Sequence, residues 1–232
     1  MDGAHKEKHS RLAFIGMSGS GKTFWSRKLV AAGWGAVSCD DLIEQRLAPR
    51  LAAGGFAGIN GVAAWMGWPD SPTYAEREAE YLAEEIAVMD EFLSELEKNA
   101  GGAPIVLDTT GSVIYAHSNI LMRLRRLMTV VHLASAERQQ QVLMERYLND
   151  PKPVLWRGTF HVQDRESPRE TVARCYPLLI AARKRSYETL AHCAVQVAEL
   201  RAAGGGTGAR AGKDSADVEE LLSKIREQVR RA

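Results

Sequence analysis

Cysteine is scarce in this sequence, and its scarcity excludes disulfide-built and zinc-binding proteins. The 232 residues include three cysteines, Cys39, Cys175 and Cys193, with neither a C-x-x-C pair nor zinc-ligand spacing. The six histidines are not spaced as ligand pairs either. This pattern predicts reduced, mostly buried cysteines and no metal centre built from cysteine and histidine.

The sequence also lacks a strong net charge and a long apolar run. Its 30 Lys and Arg residues nearly balance 29 Asp and Glu residues, for a net charge of +1. No overall field therefore favours nucleic acid or an anionic membrane as a partner. No segment is long and apolar enough for a signal peptide or a membrane span, so a cytoplasmic protein is expected.

What the sequence does contain is an alternation of short apolar runs and longer amphipathic segments. Helices are expected over 21–32, 40–47 and 135–148, and in a segment whose apolar stripe runs from Tyr74 to Leu96. Thr73 and Glu76 match a capping box at the start of that segment, whereas the glycine-rich stretch 51–68 reads as a loose connection. A long helix is expected after Ser167. Strands are expected at RLAFIG, GAVS, GGAPIVLD, LMTVVHLA and AVQVAEL. Alternating strands and helices predict parallel βαβ units in a doubly wound α/β sheet.

One glycine-rich segment lies directly between the first predicted strand and helix. The segment matches G-x-x-x-x-G-K-[ST], in which glycines let consecutive backbone N–H groups turn toward an anion. The following helix begins with unpaired N–H groups that favour the same phosphates. Lys22 would bridge the β- and γ-phosphates and Thr23 would bind Mg²⁺. The predicted ATP-binding loop consists of Gly16, Ser18, Gly19, Ser20, Gly21, Lys22 and Thr23.

Acidic residues follow two of the other predicted strands, at the edge where ligands bind in this architecture. Asp40 and Asp41 come just after the second strand, where one carboxylate could orient an acceptor hydroxyl and the other could face Mg²⁺ through water. Asp108 ends an apolar run, the position of an acid that holds the water shell of the metal. Helix capping and turn formation are the ordinary alternatives for all three.

Basic residues surround a proline-containing segment, 149–166, that is a candidate lid over the phosphates. Arg146, Lys152 and Arg157 lie in or beside it, with solvated surface charge as the alternative. Arg183 and Arg185 lie on the following long helix, and spacing alone does not choose between them.

The chain resembles shikimate kinase, of the nucleoside-monophosphate-kinase-like group, from about Arg11 to Glu199. The resemblance rests on GMSGSGKT, SCDDLIE, YAEREAEYL, IVLDTTGSV, KPVL and the helix containing R-x-x-x-Y-x-x-x-A, in that order. It implies a three-layer α/β/α fold with a five-stranded parallel sheet in the order 2-3-1-4-5. It also implies a P-loop kinase domain over 11–200, after a disordered tail over 1–10. A glycine-rich linker over 201–214 and a C-terminal helix over 215–232 would follow.

The resemblance further implies roles for individual residues. Asp40 would contact the acceptor hydroxyl as a catalytic residue beside Lys22. Lys152 would contact the ATP phosphates, with Arg146 nearby, and Thr23 and Asp108 would hold Mg²⁺, the latter through water. Gly111 and Arg183 would bind the acceptor, Arg183 through its carboxylate.

The sequence departs from the family pattern at four places. Ser38 replaces the first acid of the acidic segment, Lys152 replaces the lid arginine, and Ala75 replaces a second substrate arginine. Arg77 lies two residues further on, on another face of the helix. The glycine triplet reads Thr110-Gly111-Ser112, which predicts that side chains enter the turn near the substrate.

The sequence therefore predicts an ATP- and Mg²⁺-dependent kinase acting on shikimate or a similar hydroxy acid such as gluconate, in aromatic amino acid biosynthesis if shikimate is the acceptor. The alternative is a non-catalytic ATP-binding protein derived from such a kinase. A nucleic-acid-acting ATPase is disfavoured because no basic stripe is present. A monomer is expected, and the C-terminal helix would either dock on the sheet or serve a partner.

Overall fold

A five-stranded parallel sheet forms the centre of the computed structural model, which describes residues 10–99, 101–135, 140–149, 152–196 and 211–231. The strands are β1 (Arg11–Ile15), β2 (Gly35–Ser38), β3 (Ile105–Asp108), β4 (Thr129–Ala134) and β5 (Cys193–Gln196). Their spatial order is β2-β3-β1-β4-β5. This confirms the predicted fold class and strand order.

Eight α-helices cover the two faces of the sheet in the described part of the chain. They are α1 (Lys22–Ala31), α2 (Cys39–Ala53), α3 (Gly58–Met66), α4 (Tyr74–Lys98), α5 (Ser118–Leu127), α6 (Gln140–Asn149), α7 (Pro168–Leu190) and α8 (Ala211–Arg231). A short 3-10 helix, Val113–Tyr115, follows β3. The helices α1 and α8 pack on one face, and the other six pack on the opposite face.

Two separate hydrophobic cores follow from the alternation of side chains along β1. Leu12 and Phe14 point into the core under α1 and α8, whereas Ala13 and Ile15 point into the larger core on the other face. All five residues of β1 are buried, as expected for a central parallel strand. The cysteines are also buried and unpaired.

Strand register brings three loops to one point at the carboxyl edge of the sheet. Asp108 at the end of β3 is level with Phe14 of β1 and with Ser38 of β2. The loops that begin after these residues therefore start side by side, which places the phosphate loop, Asp40 and the turn after Asp108 around one space.

The sequence-based prediction was wrong about two helices. The stretch 51–68 was expected to be loose, yet it contains the end of α2 and all of α3, because Val62, Trp65 and Met66 form an apolar face that is buried against the core. No element was expected between β3 and β4, where α5 packs through Ile120 and Leu124.

Two helix N-termini also differ from the prediction, one in its capping and one in its position. The side chain of Thr73 makes no capping hydrogen bond, because its backbone already adopts helical angles (φ −93°, ψ −5°). The C-terminal helix begins at Ala211, inside the predicted linker, while 201–210 and residues 1–9 of the tail predicted over 1–10 lie outside the described residues. Among the described residues, no helix combines the length and apolar character needed to cross a bilayer.

Candidate active site

The glycine-rich loop between β1 and α1 has a backbone that only glycine tolerates at several positions. Gly16, Gly19 and Gly21 all have positive φ angles, of 145°, 78° and 100°. A Cβ atom on Gly16 would lie 2.8 Å from the carbonyl oxygen of Leu133. No side chain caps the N-terminus of α1, so its first N–H groups remain available to an anion.

Lys22 lies inside this loop rather than in solvent. Its ammonium donates hydrogen bonds to the carbonyl oxygens of Gly16, at 3.0 Å, and Met17, at 3.2 Å. Burial lowers the pKa of Lys22, and the nearby carboxylates of Asp108 and Asp40 act in the opposite direction. Because main-chain carbonyl oxygens already hold the ammonium inside the loop, Lys22 is preorganised to contact phosphate oxygens.

Thr23 and Asp108 lie together beside Lys22. Thr23 lies near enough to the Asp108 carboxyl to oppose the rise in its pKa, and the Asp108 Oδ1 atom is buried without a partner. Burial raises the pKa of Asp108 above its ordinary value, against the opposing effect of Lys22. A hydroxyl and a carboxylate with an unused oxygen are ligands that Mg²⁺ prefers, directly or through water, so these residues fit the ion.

Asp40 lies in the first turn of α2, where its carboxylate is not the helix cap. Ser38 caps this helix, its hydroxyl accepting a hydrogen bond from the Asp41 backbone N–H. The Tyr81 hydroxyl approaches Asp40 Oδ1 at 3.4 Å. Burial raises the pKa of Asp40 to about 6, with Lys22 acting in the opposite direction. A carboxylate with such a pKa can accept a proton near neutral pH.

One cavity of about 480 Å³ joins these groups to the candidate acceptor residues. Its walls contain ten residues that the sequence singled out: Ser18, Lys22, Thr23, Ser38, Asp40, Asp41, Asp108, Gly111, Lys152 and Arg183. Arg27 also lines the cavity, although no sequence pattern pointed to it. Ser18, Gly19 and Lys152 continue into a second cavity of about 400 Å³ between α6 and α7.

Arg183 is the arginine of α7 that faces the cavity, whereas Arg185 is exposed beside a separate groove. The terminal nitrogens of Arg183 donate hydrogen bonds to the carbonyl oxygens of Gly111, at 3.2 Å, and Leu155, at 2.7 Å. Its guanidinium lies 5.4 Å from the ring centre of Tyr115. The Nε atom is buried and has no hydrogen-bond partner. Arg183 therefore places a fixed positive charge beside the cavity.

The side chains of Thr110 and Ser112 do not enter the cavity, contrary to the prediction from the altered glycine triplet. Both are buried and donate hydrogen bonds to Glu85, Thr110 to Oε1 and Ser112 to Oε2, the latter at 2.7 Å. Glu85 is fully buried on α4, and burial raises its pKa to about 7, against these two hydrogen bonds. No sequence pattern pointed to Glu85, although it lies seven residues after Glu78 on the buried stripe of α4.

The lid segment is attached to the rest of the protein where the structure describes it, over 152–166. The Tyr74 hydroxyl donates to the Val154 carbonyl oxygen at 2.6 Å and accepts from the Trp156 backbone N–H at 3.1 Å. Glu78 accepts from the Arg157 backbone N–H at 2.9 Å. These contacts hold the Lys152 end of the lid over the cavity, where the Lys152 ammonium donates to Asn60.

Two further basic residues, Arg77 and Arg146, were considered from the sequence. Arg77 donates to the Trp65 carbonyl oxygen and does not line the cavity, as its position on another helix face predicted. Arg146 lies on α6, and its side chain lies outside the described residues.

Comparison with solved structures places this arrangement in a known fold. A shikimate kinase from Acinetobacter baumannii, in complex with shikimate, matches with a TM-score of 0.56 and 20% identity, over 97% of each chain. Shikimate kinases from Bacteroides thetaiotaomicron (TM-score 0.56) and Aquifex aeolicus (TM-score 0.51) match at 16% identity, over 93% and 94% of this chain and 98% and 96% of theirs. The chain has the shikimate kinase fold.

This fold assignment comes from structure alone. No protein-family model matches the chain, and no curated protein matches it significantly. The matches to shikimate kinases nevertheless span nearly the whole length of both chains, so the likeness is not limited to the phosphate loop. A fold alone does not determine a function, so the function has to be argued from the residues of the cavity.

Proposed function

We propose that this protein is an ATP-dependent kinase that phosphorylates a hydroxyl group of shikimate or a similar hydroxy acid. The observation that carries the proposal is the single cavity that contains Lys22, Thr23, Asp40, Asp108 and Arg183. A phosphate loop, a candidate base and a buried arginine for an acid group thus face the same space. Phosphoryl transfer depends mainly on such positioning and on charge neutralisation.

The loop after β1 binds the nucleotide in this proposal. Backbone N–H groups of the loop and of the first turn of α1 bind the β- and γ-phosphates, and Lys22 adds a positive charge to them. Thr23 and Asp108 would hold Mg²⁺, which neutralises phosphate charge when bound. Lys152 enters the same cavity from the lid and contacts the phosphates from the opposite side.

Asp40 acts on the acceptor. Its carboxylate orients the acceptor hydroxyl and accepts its proton as the oxygen attacks the γ-phosphorus. The new bond joins the acceptor oxygen to phosphorus, the bond to the bridging oxygen breaks, and ADP leaves with that oxygen.

We expect an acid as the acceptor because the fixed positive charge of Arg183 lines the cavity beside Gly111. The Acinetobacter baumannii neighbour binds shikimate, which makes this hydroxy acid the first candidate. Ala75 leaves Arg183 without a second arginine from α4, so the carboxylate is held by fewer charged hydrogen bonds. Each such bond contributes about 1.5–3 kcal/mol. If shikimate is the acceptor, the enzyme acts in aromatic amino acid biosynthesis. We also propose that the protein is a cytoplasmic monomer.

An acceptor panel tests this function. Purified protein with Mg²⁺ and ATP is assayed for ADP release with shikimate, quinate and gluconate, beside the Lys22→Met and Arg183→Lys variants. We expect turnover with at least one acid, loss of activity in Lys22→Met, and a raised acceptor KM in Arg183→Lys. Arg185→Ala is the matched control, since Arg185 is exposed on the same helix and should leave the KM unchanged.

A non-catalytic ATP-binding protein is the second candidate, and Ala75 is the observation that favours it. It predicts heat of ATP binding in calorimetry with no acceptor-dependent release of ADP. Failure to bind ATP in the presence of Mg²⁺ would overturn both candidates.

A further inference from the structure

The turn after β3 is held from two sides, and only its middle residue faces the cavity. Gly111 lines the cavity, while the buried side chains of Thr110 and Ser112 point the opposite way, toward Glu85. The carbonyl oxygen of Gly111 accepts hydrogen bonds from Arg183 and from the Tyr187 hydroxyl. The main chain of the turn therefore lies between a buried carboxylate on α4 and two donors on α7.

Glu85 accepts hydrogen bonds from two hydroxyls that also lie 3.0 Å from each other. The Thr110 hydroxyl oxygen already accepts a hydrogen bond from the Ser112 backbone N–H at 3.0 Å, and its own hydrogen goes to Glu85 Oε1. The Ser112 hydroxyl hydrogen goes to Glu85 Oε2. An ionised carboxylate is the side chain of this size that accepts both hydrogens and has none to place.

Small displacements of this turn reach both halves of the active site. A Cβ atom on Gly111 would lie 3.2 Å from a terminal nitrogen of Arg183, 3.4 Å from the backbone nitrogen of Ser18, and 3.7 Å from the Gly16 carbonyl oxygen. The turn thus touches the phosphate loop and the candidate acid-binding arginine at once. Because the Gly111 carbonyl oxygen accepts a hydrogen bond from Arg183, a displacement of the turn would also affect the position of the guanidinium.

We propose that Glu85 is a positioning residue for the acceptor: it accepts hydrogen bonds from Thr110 and Ser112 and so holds Gly111 and Arg183 in the geometry that binds the acid. The inference rests on the proposed function, since it assigns a role in the binding of that acceptor. It assigns Glu85 no contact with substrate. Hydrogen bonds from the two hydroxyls to the carboxylate thereby fix the position of the turn.

The test compares Glu85→Gln with Glu76→Gln, a matched change at an exposed position of the same helix. Glutamine keeps the size of the side chain but has one oxygen acceptor instead of two. With the acid that the wild-type protein phosphorylates, we expect Glu85→Gln to raise the acceptor KM roughly tenfold, the loss of about one charged hydrogen bond. The KM for ATP should stay within about twofold, and Glu76→Gln should change neither value. An unchanged acceptor KM in Glu85→Gln, or an equal rise in both KM values, would overturn the proposal.

A second measurement does not depend on an acceptor. The backbone amide resonance of Gly111 in ¹H–¹⁵N spectra should move in Glu85→Gln and stay in place in Glu76→Gln, and an unmoved resonance would overturn the proposal. If Glu85→Gln does not fold, Ser112→Ala removes one of the two donors instead, with the same expectations. Absence of wild-type turnover with every acid would count against the proposed function, and the Gly111 resonance would then decide whether Glu85 holds the turn.

Discussion

At the residue scale, the burial of Asp40 changes the pKa of the carboxylate that is proposed to accept the proton. Its pKa is raised to about 6 because burial disfavours the charged form more than Lys22 favours it. The carboxylate must be ionised to accept the acceptor proton, so activity should be lost on the acid side of that pKa. We expect kcat/KM for the acceptor to fall about tenfold for each pH unit below 6 and to level off above it.

The matching variant separates this residue from other groups that titrate nearby. Asp40→Asn cannot accept a proton, so the rate should drop by about 10²–10⁴ and the remaining rate should lose its rise near pH 6. Initial rates from pH 5 to 8 measure both effects. A wild-type profile that is flat between pH 5 and 7 would contradict the role given to Asp40.

Gly111 supports a second prediction at this scale. An alanine there brings its Cβ atom to 3.2 Å from Arg183 and 3.4 Å from the Ser18 nitrogen, so one neighbour has to move. We expect Gly111→Ala to raise the acceptor KM roughly tenfold, because Arg183 is displaced from the acid. Gly101→Ala is the control, since an added methyl group there meets no atom within 4 Å. Equal acceptor KM values in the two variants, measured by initial rates, would show that the turn does not control binding.

The phosphate loop was predictable at residue resolution because its chemistry requires particular residue types at fixed spacing. Gly16, Lys22 and Thr23 lie where the motif predicts, within one local segment. Glu85 was not predictable, because its function depends on Thr110 and Ser112, which are 25 and 27 residues away in sequence. Pairs of this kind are determined by tertiary packing, which no local pattern contains.

At the scale of elements, the lid depends on Tyr74, at the first position of α4. The single hydroxyl of this residue satisfies two lid backbone groups, the Val154 carbonyl and the Trp156 N–H. Tyr74→Phe leaves both groups buried without that partner, which costs about 1–3 kcal/mol. We expect faster hydrogen exchange at the Trp156 amide and earlier proteolytic cleavage within 152–166.

The control for this prediction is Tyr81→Phe on the same helix. The Tyr81 hydroxyl approaches Asp40, outside the lid, so its removal should leave exchange at Trp156 unchanged. If Tyr74→Phe exchanges at the wild-type rate, the lid is held by its apolar contacts through Trp156 and Leu155 instead.

Elements were predicted well where an apolar run was flanked by clear breaks and poorly where packing outweighed local preference. The five strands lie at the predicted apolar runs. The helix α3 contradicts the prediction because its glycines, Gly58 and Gly61, disfavour a helix locally, while burial of Val62 and Trp65 stabilises it. Local propensity is small compared with the burial of large apolar side chains.

At the scale of the whole molecule, the C-terminal helix answers a question that the sequence left open. The helix α8 docks on the fold, where Val218, Leu221 and Ile225 complete the core formed by β1, β5 and α1. Asp217 forms an ion pair with Lys28 of α1. Since α1 begins with Lys22 and Thr23, which are proposed to bind phosphate and Mg²⁺, residues near the C-terminus support the helix that carries the proposed site. A helical period alone could not identify the surface against which the apolar face packs.

Leu221 tests whether this docking stabilises the entire fold. Its side chain is fully buried between the sheet and α1, so Leu221→Ala leaves a cavity and should lower the free energy of unfolding by about 2–5 kcal/mol in urea titrations. Ser223→Ala, at an exposed position of the same helix, should change that free energy by about 0.5 kcal/mol or less. A single unfolding transition in which the tryptophan fluorescence and helix signals move together would show that α8 unfolds with the sheet. A wild-type transition in Leu221→Ala would show that α8 packs without stabilising the fold.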